Sequence, residues 1–582
     1  MQYPKLRELE TSRQMVDAFR GYNHNLRISD GEFFDMKNMT SDYYPVLSPR
    51  GKRGEYASPT NPLGLIAKDS LCYVDGTYFV MNEYRIDMGL NDEPKQLISM
   101  GAYVIIMPDK KYINTLDMTD FGDIEATFTT TTDVTFSLCT INGETYEGAT
   151  VSASEPEEPK NLDLWIDTSS TPHTLKQYSA TSKTWVTIAT TYIRIYSTGI
   201  GAAFEKYDGV TISGIAAKEL QDLNSTMVVW DKDEEEGNYI VVTGILDAVT
   251  AQEVSQGAVT VTRKMPNLDF IIESENRLWG CKYGVAVNGE VVNEIYACKL
   301  GDFKNWNCFM GLSTDSYVAS CGTDGQFTGA ITHLGYPLFF KENCVHKVYG
   351  NYPANFQIQT TACRGVQKDC EKSLAIVNET LFYKARNAVC AYDGSLPTEV
   401  SYALGNEAYS LAVGGAHGNK YYISMKDIHG EYQMFVFDTA KSMWHKEDEL
   451  QVDCFCSCRG ELYAISKGKI ITILGSGTKE TEPVEWMAET GEIGISSPDM
   501  KYISRLTIRM SLDIGAVVNI FAQYDLDDEW VHLCELTGTS LRSFSIPIRP
   551  RRCDHMKLRF EGEGMCKVFS ITKTIEQGSE LS

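Results

Sequence analysis

The sequence lacks any apolar run of the roughly 18 residues that a membrane-spanning helix needs. Its start, MQYPKLRELETSRQM, is polar and has no apolar stretch of the kind found in a secretory signal peptide. We therefore expect a chain that is made in a reducing cytosol. In that setting the 16 Cys are expected to stay free and to act as small core residues.

Catalytic and nucleotide-binding motifs are also missing. The sequence contains no GxxxxGK[ST] loop, no GxGxxG after a strand, no HExxH and no GxSxG. The Cys spacing never gives the paired CxxC of a zinc site. His333 and His346 fall in or beside predicted strands, where a structural role is commoner than base chemistry. We expect no catalytic residue, no cofactor and no bound metal.

Positive charge is scarce: the sequence contains 53 Lys and Arg but 78 Asp and Glu, so the net charge is -25. This balance excludes adhesion to nucleic acid through a basic face, although DNA could still pass nearby. Residues 1–55 carry nine basic and eight acidic residues, and residues 501–582 carry eleven of each. The net negative charge therefore belongs to residues 56–500.

The stretch from Asn276 to Trp306, NRLWGCKYGVAVNGEVVNEIYACKLGDFKNW, shows what the sequence does contain. Apolar residues alternate with a spacing of two, which predicts pleated strands. The turn Val287-Asn288-Gly289-Glu290 lies between them, and an Asn-Gly pair favours a tight hairpin. A Gly-Asp corner and an aromatic stop follow.

Variants of this unit recur along the chain. A period of about 40 residues, with about four short strands in each repeat, predicts a β-propeller of six to eight blades. A longer first interval would hold an extended loop around CFMGLSTDSYVASCGTDGQ. We expect the strand near Leu71 to complete the sheet of the last blade, because an open edge invites aggregation. The repeated strands begin at Asn276, Tyr336, Glu379, Asn419 and Gly460, with successive gaps of 60, 43, 40 and 41 residues.

The predicted fold class is all-β, a β-propeller with an inserted β domain and a C-terminal antiparallel β-sandwich. Shifts in composition and in strand pattern place the boundaries. The predicted parts are an N-terminal docking arm (1–55), the first part of the propeller (56–121), an inserted β domain (122–265), the second part of the propeller (266–485) and the C-terminal sandwich (486–582).

The arm has no long periodic run, and Arg13 to Phe19 could form one or two helical turns. A segment of this kind takes its order from the surface on which it lies. Two interpretations stay open: a strap over its own domain, or a strap that docks onto a neighbouring subunit.

Three stretches of the sequence cluster Cys or acidic residues that could bind a metal. In CFCSC, Cys454 to Cys458, the sulfurs lie on one side of a strand, too far apart to converge on zinc, so a packed inner strand is favoured. The acidic run DKDEEEG, Asp231 to Gly237, resembles the start of a calcium-binding loop in charge only. The twelfth position of such a loop needs Glu, and here that position is Val242. DLDDE, Asp525 to Glu529, falls in a predicted hairpin turn, so both acidic runs are interpreted as solvated turns.

Several short motifs resemble the β-propeller tail proteins of tailed bacteriophages, the group that includes tail nozzles and DNA-stabilising plugs. The arm carries FRGYN, NMT and PVLSPRGKR, and the first regular repeat carries RKMPNLDFIIESENRLWGCKYG and EIYACKLGDFKNW. SIPIRPRRCDHMKLRF resembles a terminal domain of related phage proteins. Small tail-associated modules are similar to another stretch, in which Trp165 and Trp185 bracket a predicted hairpin: WIDTSSTPHTLKQYSATSKTW.

The resemblance implies a structural virion protein that forms a ring with itself, commonly a hexamer, below the portal and adaptor, with DNA leaving through the middle. An acidic wall would repel the duplex and not grip it. Arg50, Lys52 and Arg53 would then dock the arm onto an adaptor or a neighbouring copy. Deleting residues 1–55 would leave a soluble propeller that no longer joins particles.

Two other functions stay open. Stacked Trp and Tyr suit sugars, so the chain could be a surface propeller that binds or cleaves glycans. A cleaving enzyme would need two carboxylates, and these can come from distant blades. The chain could also be an intracellular propeller scaffold.

Overall fold

The computed structural model of the protein describes residues 11–577 except 83, 247–251, 255–258, 286–288, 496–499, 526, 528 and 550. Over these residues the chain forms two compact units, Met1–Lys95 with Leu338–His346 and Thr360–Ser582, and Gln96–Pro337 with Lys347–Gln359. Nearly all regular structure is β. No helix in the described part is long and apolar enough to cross a membrane. The helical segments are short: the α-helix Ile200–Ala203 and the 3-10 turns Lys218–Leu223, Pro353–Asn355, Glu371–Ser373 and Tyr402–Leu404.

Antiparallel four-stranded sheets, each built from consecutive strands, make up the propeller part. This is the strand arrangement of propeller blades, and it confirms the predicted fold class. In the first unit the strands are Pro62–Ala67, Leu71–Asp75, Tyr78–Met81 and Tyr84–Asp87; Ala375–Val377, Thr380–Ala385, Ala388–Tyr392 and Thr398–Glu399; Ser410–His417, Lys420–Lys426, Tyr432–Asp438 and Met443–Lys446. In the second unit they are Gln96–Met100, Tyr103–Met107, Lys111–Asn114 and Phe121–Asp123; Phe270–Ser274, Arg277–Val285, Val291–Ala297 and Tyr317–Ser320. A further sheet contains Gly329–His333, Tyr336–Lys341, Cys344–Tyr349 and Gln357–Ala362.

Each repeated strand start found in the sequence coincides with the second strand of a sheet, from Arg277–Val285 to Glu461–Ser466. The sequence period therefore marks true structural repeats. Of the predicted turn at 287–290, residues 287 and 288 lie outside the described part.

The last blade corrects the expectation about Leu71. Leu71–Asp75 is the second strand of its own sheet, and the segment that completes the last blade is Gly54–Ala57. Gly54 is needed there, because a Cβ at this position would lie 2.0 Å from the carbonyl oxygen of Ser476. The strands of this sheet, in spatial order, are Cys454–Cys458, Glu461–Ser466, Lys469–Thr472, Gly54–Ala57 and Thr478–Lys479.

The arm is a β-strap and not a helical segment. Thr11–Val16, predicted as helical turns from Arg13 onward, is a strand that pairs with Cys566–Gln577. Further along, Gly21–Tyr22 pairs with Trp444 and with Glu32–Lys37, which in turn pairs with Glu485–Thr490. These pairings join a blade to the C-terminal sandwich in one ten-stranded sheet. A two-stranded ladder of Met39–Thr40 and Ser48–Pro49 follows.

The inserted domain has a hydrophobic core of its own, in which Phe136, Ile195, Phe204 and Val261 are among the buried side chains. Its first and last strands pair with each other, so both ends of the insertion lie side by side. The strands, in spatial order within three sheets, are Ala126–Thr129, Thr260–Arg263, Gly209–Ser213 and Thr226–Val228; Asp231–Lys232, Tyr239–Thr243, Tyr192–Tyr196, Val134–Cys139 and Gln252–Val254; Thr150–Ser152, Leu164–Asp167, Thr174–Ser179 and Thr184–Thr187.

The C-terminal sandwich has two antiparallel sheets, each with buried residues alternating with exposed ones, as expected when one face lies on a core. The arm adds an edge strand to the first sheet. The first sheet contains Thr11–Val16, Cys566–Gln577, Lys501–Leu512 and Arg542–Ile546, and the second contains Glu485–Thr490, Met556–Glu563, Val517–Tyr524 and Val531–Thr537.

Candidate functional site

An enclosed ion-pair cluster fixes the arm to its own unit. Arg53 donates from Nη1 to Asp448 Oδ2 at 2.6 Å and from Nη2 to Glu447 Oε2 at 2.6 Å. Arg50 donates from Nη2 to the same Asp448 oxygen at 3.3 Å. Arg50 is 8% exposed and Arg53 4% exposed, so the pairs lie away from solvent. We call these four residues the arm clamp.

Further hydrogen bonds hold the residues of the arm clamp and the neighbouring Lys52 in place. Arg50 donates from Nε to Asn38 Oδ1 at 2.8 Å, and the Arg53 amide donates to Glu480 Oε2 at 3.2 Å. Lys52 Nζ donates to the carbonyl oxygens of Glu480 and Thr481 at 3.1 and 2.9 Å. Charge-assisted bonds of this kind are the stronger class of hydrogen bond.

The electrostatics of the arm clamp favour its charged form. Burial alone would raise the pKa of Asp448, but the facing guanidinium groups of Arg53 and Arg50 outweigh it and hold this pKa below its usual value. Burial and the neighbouring Arg53 lower the pKa of Arg50. Burial would also lower the pKa of Arg53, yet Asp448 and Glu447 raise it overall.

The guanidinium groups of Arg50 and Arg53 are enclosed and already paired within the chain. The docking role that the resemblance implies for these two residues stays a prediction. Lys52 also bonds within the chain, to carbonyl oxygens of residues 480 and 481. For the described residues of the arm, the structure favours the strap over its own domain. A docking role for the arm as a whole stays a prediction.

The CFCSC strand, Cys454–Cys458, packs with Cys72 of a neighbouring blade and does not face an open site. Burial raises the pKa of Cys454 to about 11, and burial with the neighbouring thiols raises that of Cys456 to about 12. A protonated thiol is a weak nucleophile and a poor metal ligand. Within the described residues, no group of three or more His, Cys, Asp and Glu could hold a metal ion.

The run Asp231 to Gly237 begins as the strand Asp231–Lys232 and then continues into a turn. Asp233 accepts the backbone amides of Glu235, Glu236 and Asn238, which closes the turn of the run Asp231 to Gly237. The other run, Asp525 to Glu529, follows the strand Val517–Tyr524, although its residues 526 and 528 lie outside the described part.

Both histidines singled out in the sequence are buried. Burial and Lys341 lower the pKa of His346 to about 4, and its Nδ1 lies 2.8 Å from Thr360 Oγ1. His346 is therefore neutral near pH 7 and suited to packing.

A sheet of the inserted domain carries aromatic side chains on one face, while Ile166 and Leu175 on the other face enter the core. Trp185 is the centre of the aromatic face. Its ring centroid lies 5.5 Å from that of Trp165 and 5.4 Å from that of Tyr178, both edge to face. Lys176 Nζ lies 4.5 Å from the Trp165 centroid and 2.7 Å from Asp167 Oδ2. We call these five residues the aromatic platform.

The sequence indicated part of the aromatic platform, since Trp165 and Trp185 were predicted to bracket a hairpin. The side-chain hydrogen bonds from Lys176 and Ser169 lower the pKa of Asp167 to about 2, so the carboxylate stays ionised beside the rings. The indole Nε1 of Trp185 has no acceptor among the described residues.

A second buried cluster, missed in the sequence, fixes the inserted domain to the sheet that follows it. Asp208 is paired with Arg263, and Asn305 Nδ2 donates to Asp208 Oδ1 at 2.8 Å. Asn305 Oδ1 also accepts the Gly209 amide at 2.8 Å. Asn305 belongs to the Gly-Asp-Phe corner, so that motif was the available signal. Its partners lie too far away in sequence to be read from a local pattern.

Two of the cavities of the described chain contain carboxylates, which glycan hydrolysis requires. One of about 170 Å³ is lined by Arg277, Trp279, Tyr336 and Phe356 with a single carboxylate, Glu275. Hydrolysis of a glycosidic bond commonly needs two carboxylates at a fixed spacing. The other is a groove of about 480 Å³ over the C-terminal sandwich, where three Glu lie on an open sheet face.

No protein-family model matches the sequence, and no curated protein matches it. Among solved structures, an exo-beta-1,3-galactanase from Phanerochaete chrysosporium is 8% identical, with a TM-score of 0.21 over 52% of this chain and 94% of its own. An acylaminoacyl peptidase from Pyrococcus horikoshii is 10% identical, with a TM-score of 0.23 over 51% of this chain and 49% of its own. A Trypanosoma rangeli sialidase is 9% identical, with a TM-score of 0.19 over 97% and 96%. Similarities of this size support no argument about activity.

Proposed function

We propose that the chain is a structural subunit of a bacteriophage tail, which assembles with copies of itself into a ring below the portal and adaptor. The observation that carries the proposal is the ten-stranded sheet, through which the arm joins a blade to the C-terminal sandwich. A subunit placed in the path of packaged DNA must resist force without coming apart. Continuous strand pairing and an enclosed ion-pair cluster supply that resistance. The phage-like motifs of the arm and of the first repeat support the same assignment.

The charge of the chain fits a passage for DNA. The net negative charge lies in residues 56–500, and a surface without excess Lys and Arg gives phosphates little to bind. Repulsion would reach about 10 Å at 0.1 M salt. DNA would therefore be guided and not held.

Imaging of purified particles tests this proposal. The expected result is a ring of this chain at the portal vertex, in a fixed copy number, in particles whose mass spectra contain the chain. Particles that eject DNA normally but lack the chain would contradict the proposal.

A second candidate function, glycan recognition, is favoured by the aromatic platform. Trp185, Tyr178 and Lys176 are partly exposed, so the platform offers two aromatic rings and an ammonium group to a sugar, while Trp165 and Asp167 lie buried behind them. Titration of purified cell-wall polysaccharide against the full chain tests it. Wild type should bind, Trp185→Ala should lose binding, and Trp530→Ala, on another domain, should retain it. Equal binding by all three proteins, or by none, would remove this candidate.

A further inference from the structure

The outer face of the first sheet of the C-terminal sandwich is basic. Arg505 and Arg509 are exposed and lie on that face, and Arg13 of the arm strand flanks Arg505 across Thr574. Across the described chain, none of the three arginines has an ion-pair partner within 4 Å. We call these three residues the basic face.

Hydroxyl groups fill the space between these cations. Arg509 lies between Ser570 and Ser543 on its two neighbouring strands. Thr507 in the same way lies between Thr572 and Ser545. The face therefore offers positive charge and several short hydrogen-bonding groups, beside the exposed side chain of Met15.

The outer face of the second sheet is acidic. Glu485 and Glu563 are exposed and lie directly opposite each other on paired strands. Glu535, on the edge strand, is exposed as well. In the part of the chain that is described, no cation lies within 4 Å of any of these three carboxylates. We call them the acidic face.

Like charges directly opposite each other destabilise a sheet. The pair Glu485 and Glu563 is therefore unfavourable in the isolated chain. A groove of about 480 Å³ on this face is lined by both glutamates and by Lys37. The unpaired arginines of one face and the unpaired glutamates of the other could therefore supply each other's counter-charges.

We propose that the basic face of one copy docks on the acidic face of a second copy. The contact is head to tail, because the two faces are different surfaces of the same domain. Repeated contacts of this type close into rings when the rotation between copies allows it. The inference rests on the proposed ring assembly and names the surfaces that would build it.

Charge reversal on the full chain tests the contact, with sedimentation velocity at low and at high salt. R505E/R509E makes both faces acidic, and E485K/E563K makes both faces basic. Each double variant should weaken self-association about a hundredfold or more, since facing like charges are strongly unfavourable. The quadruple variant exchanges the signs and should regain association. The matched control K160E/K183E reverses the same charge on exposed lysines of the inserted domain and should associate like wild type.

The outcomes separate this contact from the proposed function. Circular dichroism first shows that each variant is folded. Wild type that stays monomeric at every concentration, double variants that associate normally, or a quadruple variant that stays monomeric would each overturn the contact. A ring seen in particles despite such a result would leave the proposed function standing with a different interface. Absence of the chain from particles would instead overturn the proposed function.

Discussion

The side chain of Arg53 is buried. Burying its positive charge destabilises the fold unless acidic partners compensate for it. Both of its terminal nitrogens bond to carboxylates of Glu447 and Asp448, at distances of 2.6 to 3.0 Å. Removing one member of such a cluster leaves the others buried without compensation, and this costs more than the pair itself contributes.

The first prediction concerns the cost of leaving buried carboxylates without their counter-charge. Arg53→Met should lower the free energy of unfolding by about 3–5 kcal/mol, because Glu447 and Asp448 remain buried and lose their counter-charge. Urea unfolding followed by tryptophan fluorescence measures the change. Lys52→Met is the matched control, since Lys52 bonds only to exposed carbonyl oxygens, and it should change stability little. Adding Glu447→Gln and Asp448→Asn to Arg53→Met should recover part of the loss. A variant as stable as wild type would show that the arm clamp does not hold the arm.

His445 gives the fold a dependence on pH. It is buried on the strand Met443–Lys446, and burial followed by the nearby Lys420 lowers its pKa from 6.5 to about 3, against the opposing effects of Asp438 and Asp42. Between these values the unfolded chain binds a proton that the folded chain does not. This stability is therefore fully present above pH 6.5 and is lost as pH falls toward 3, by about 3 kcal/mol between pH 7 and pH 4.

The second prediction follows from the loss of stability that buried, neutral His445 causes as the pH falls. His445→Gln should remove about 3 kcal/mol of the pH dependence between pH 7 and pH 4, because Gln does not titrate. Urea unfolding at both pH values, compared with wild type, gives the difference. His532→Gln, which changes an exposed His on the C-terminal sandwich, is the matched control. Identical pH dependence in wild type and His445→Gln would contradict the assignment.

At the scale of elements, closure of the last blade depends on one glycine. A Cβ on Gly54 would lie 2.0 Å from the Ser476 carbonyl oxygen and 2.5 Å from Thr472 Oγ1, whereas a Cβ on Gly51 would meet nothing within 4 Å. Gly54→Ala should lower the free energy of unfolding by about 1–3 kcal/mol through overpacking, and Gly51→Ala should be close to neutral. Thermal unfolding of the two variants, which differ by one methyl group from wild type, makes the comparison. Equal midpoints would mean that this strand is not held against Lys469–Thr472.

The strap also changes the expected result of truncation. Deleting residues 1–57 would uncover the edge of Lys469–Thr472 and the edge of Glu485–Thr490, which the arm now covers. Uncovered strand edges pair with other chains, so we expect aggregation in place of the soluble propeller predicted from the sequence. Light scattering of freshly purified protein measures this. A monodisperse truncated chain would show that the remaining sheets protect their own edges.

The repeated blades could be predicted because their pattern is local. The alternation of apolar residues lies within single strands, and the spacing from Asn276 to Gly460 repeats from one sheet to the next, with a second strand where each repeat begins. The closing strand could not be predicted in this way. Gly54 pairs with Thr472, and no local pattern encodes a partner so distant in sequence.

The same limit applies to the candidate sites. Arg50, Lys52 and Arg53 resemble a basic docking patch in sequence, because their neighbours are neutral. The acidic partners of Arg50 and Arg53, Glu447 and Asp448, come from a distant part of the chain, beside the strand Met443–Lys446. For the aromatic platform, the two Trp that bracket the hairpin were visible in the sequence, and only the placement of Lys176 and Asp167 beside them needed the structure.

At the scale of the whole molecule, the inserted domain behaves as a self-contained body within its unit. Its ends are held together by the pairing of Ala126 with Arg263, so its removal would not need to stretch the surrounding chain. Arg263 also donates to the carbonyl oxygen of Ile124, which secures the point of entry. The cluster of Asp208 and Asn305 then fixes the domain to the sheet that follows.

The final prediction tests this independence. Residues 124–265 expressed alone should fold cooperatively, because the buried core lies within the insertion and Asp208 keeps its partner Arg263. Circular dichroism with thermal melting provides the measurement. Phe136→Ala in the same fragment should lower its stability by about 3–5 kcal/mol, since Phe136 is fully buried, and this shows that the core is native. Asn305 is absent from the fragment, so the full chain with Asn305→Ala should lose only the attachment of the domain, seen as faster proteolysis at its borders. A fragment without a cooperative melt would mean that the insertion depends on its neighbouring sheets for its fold.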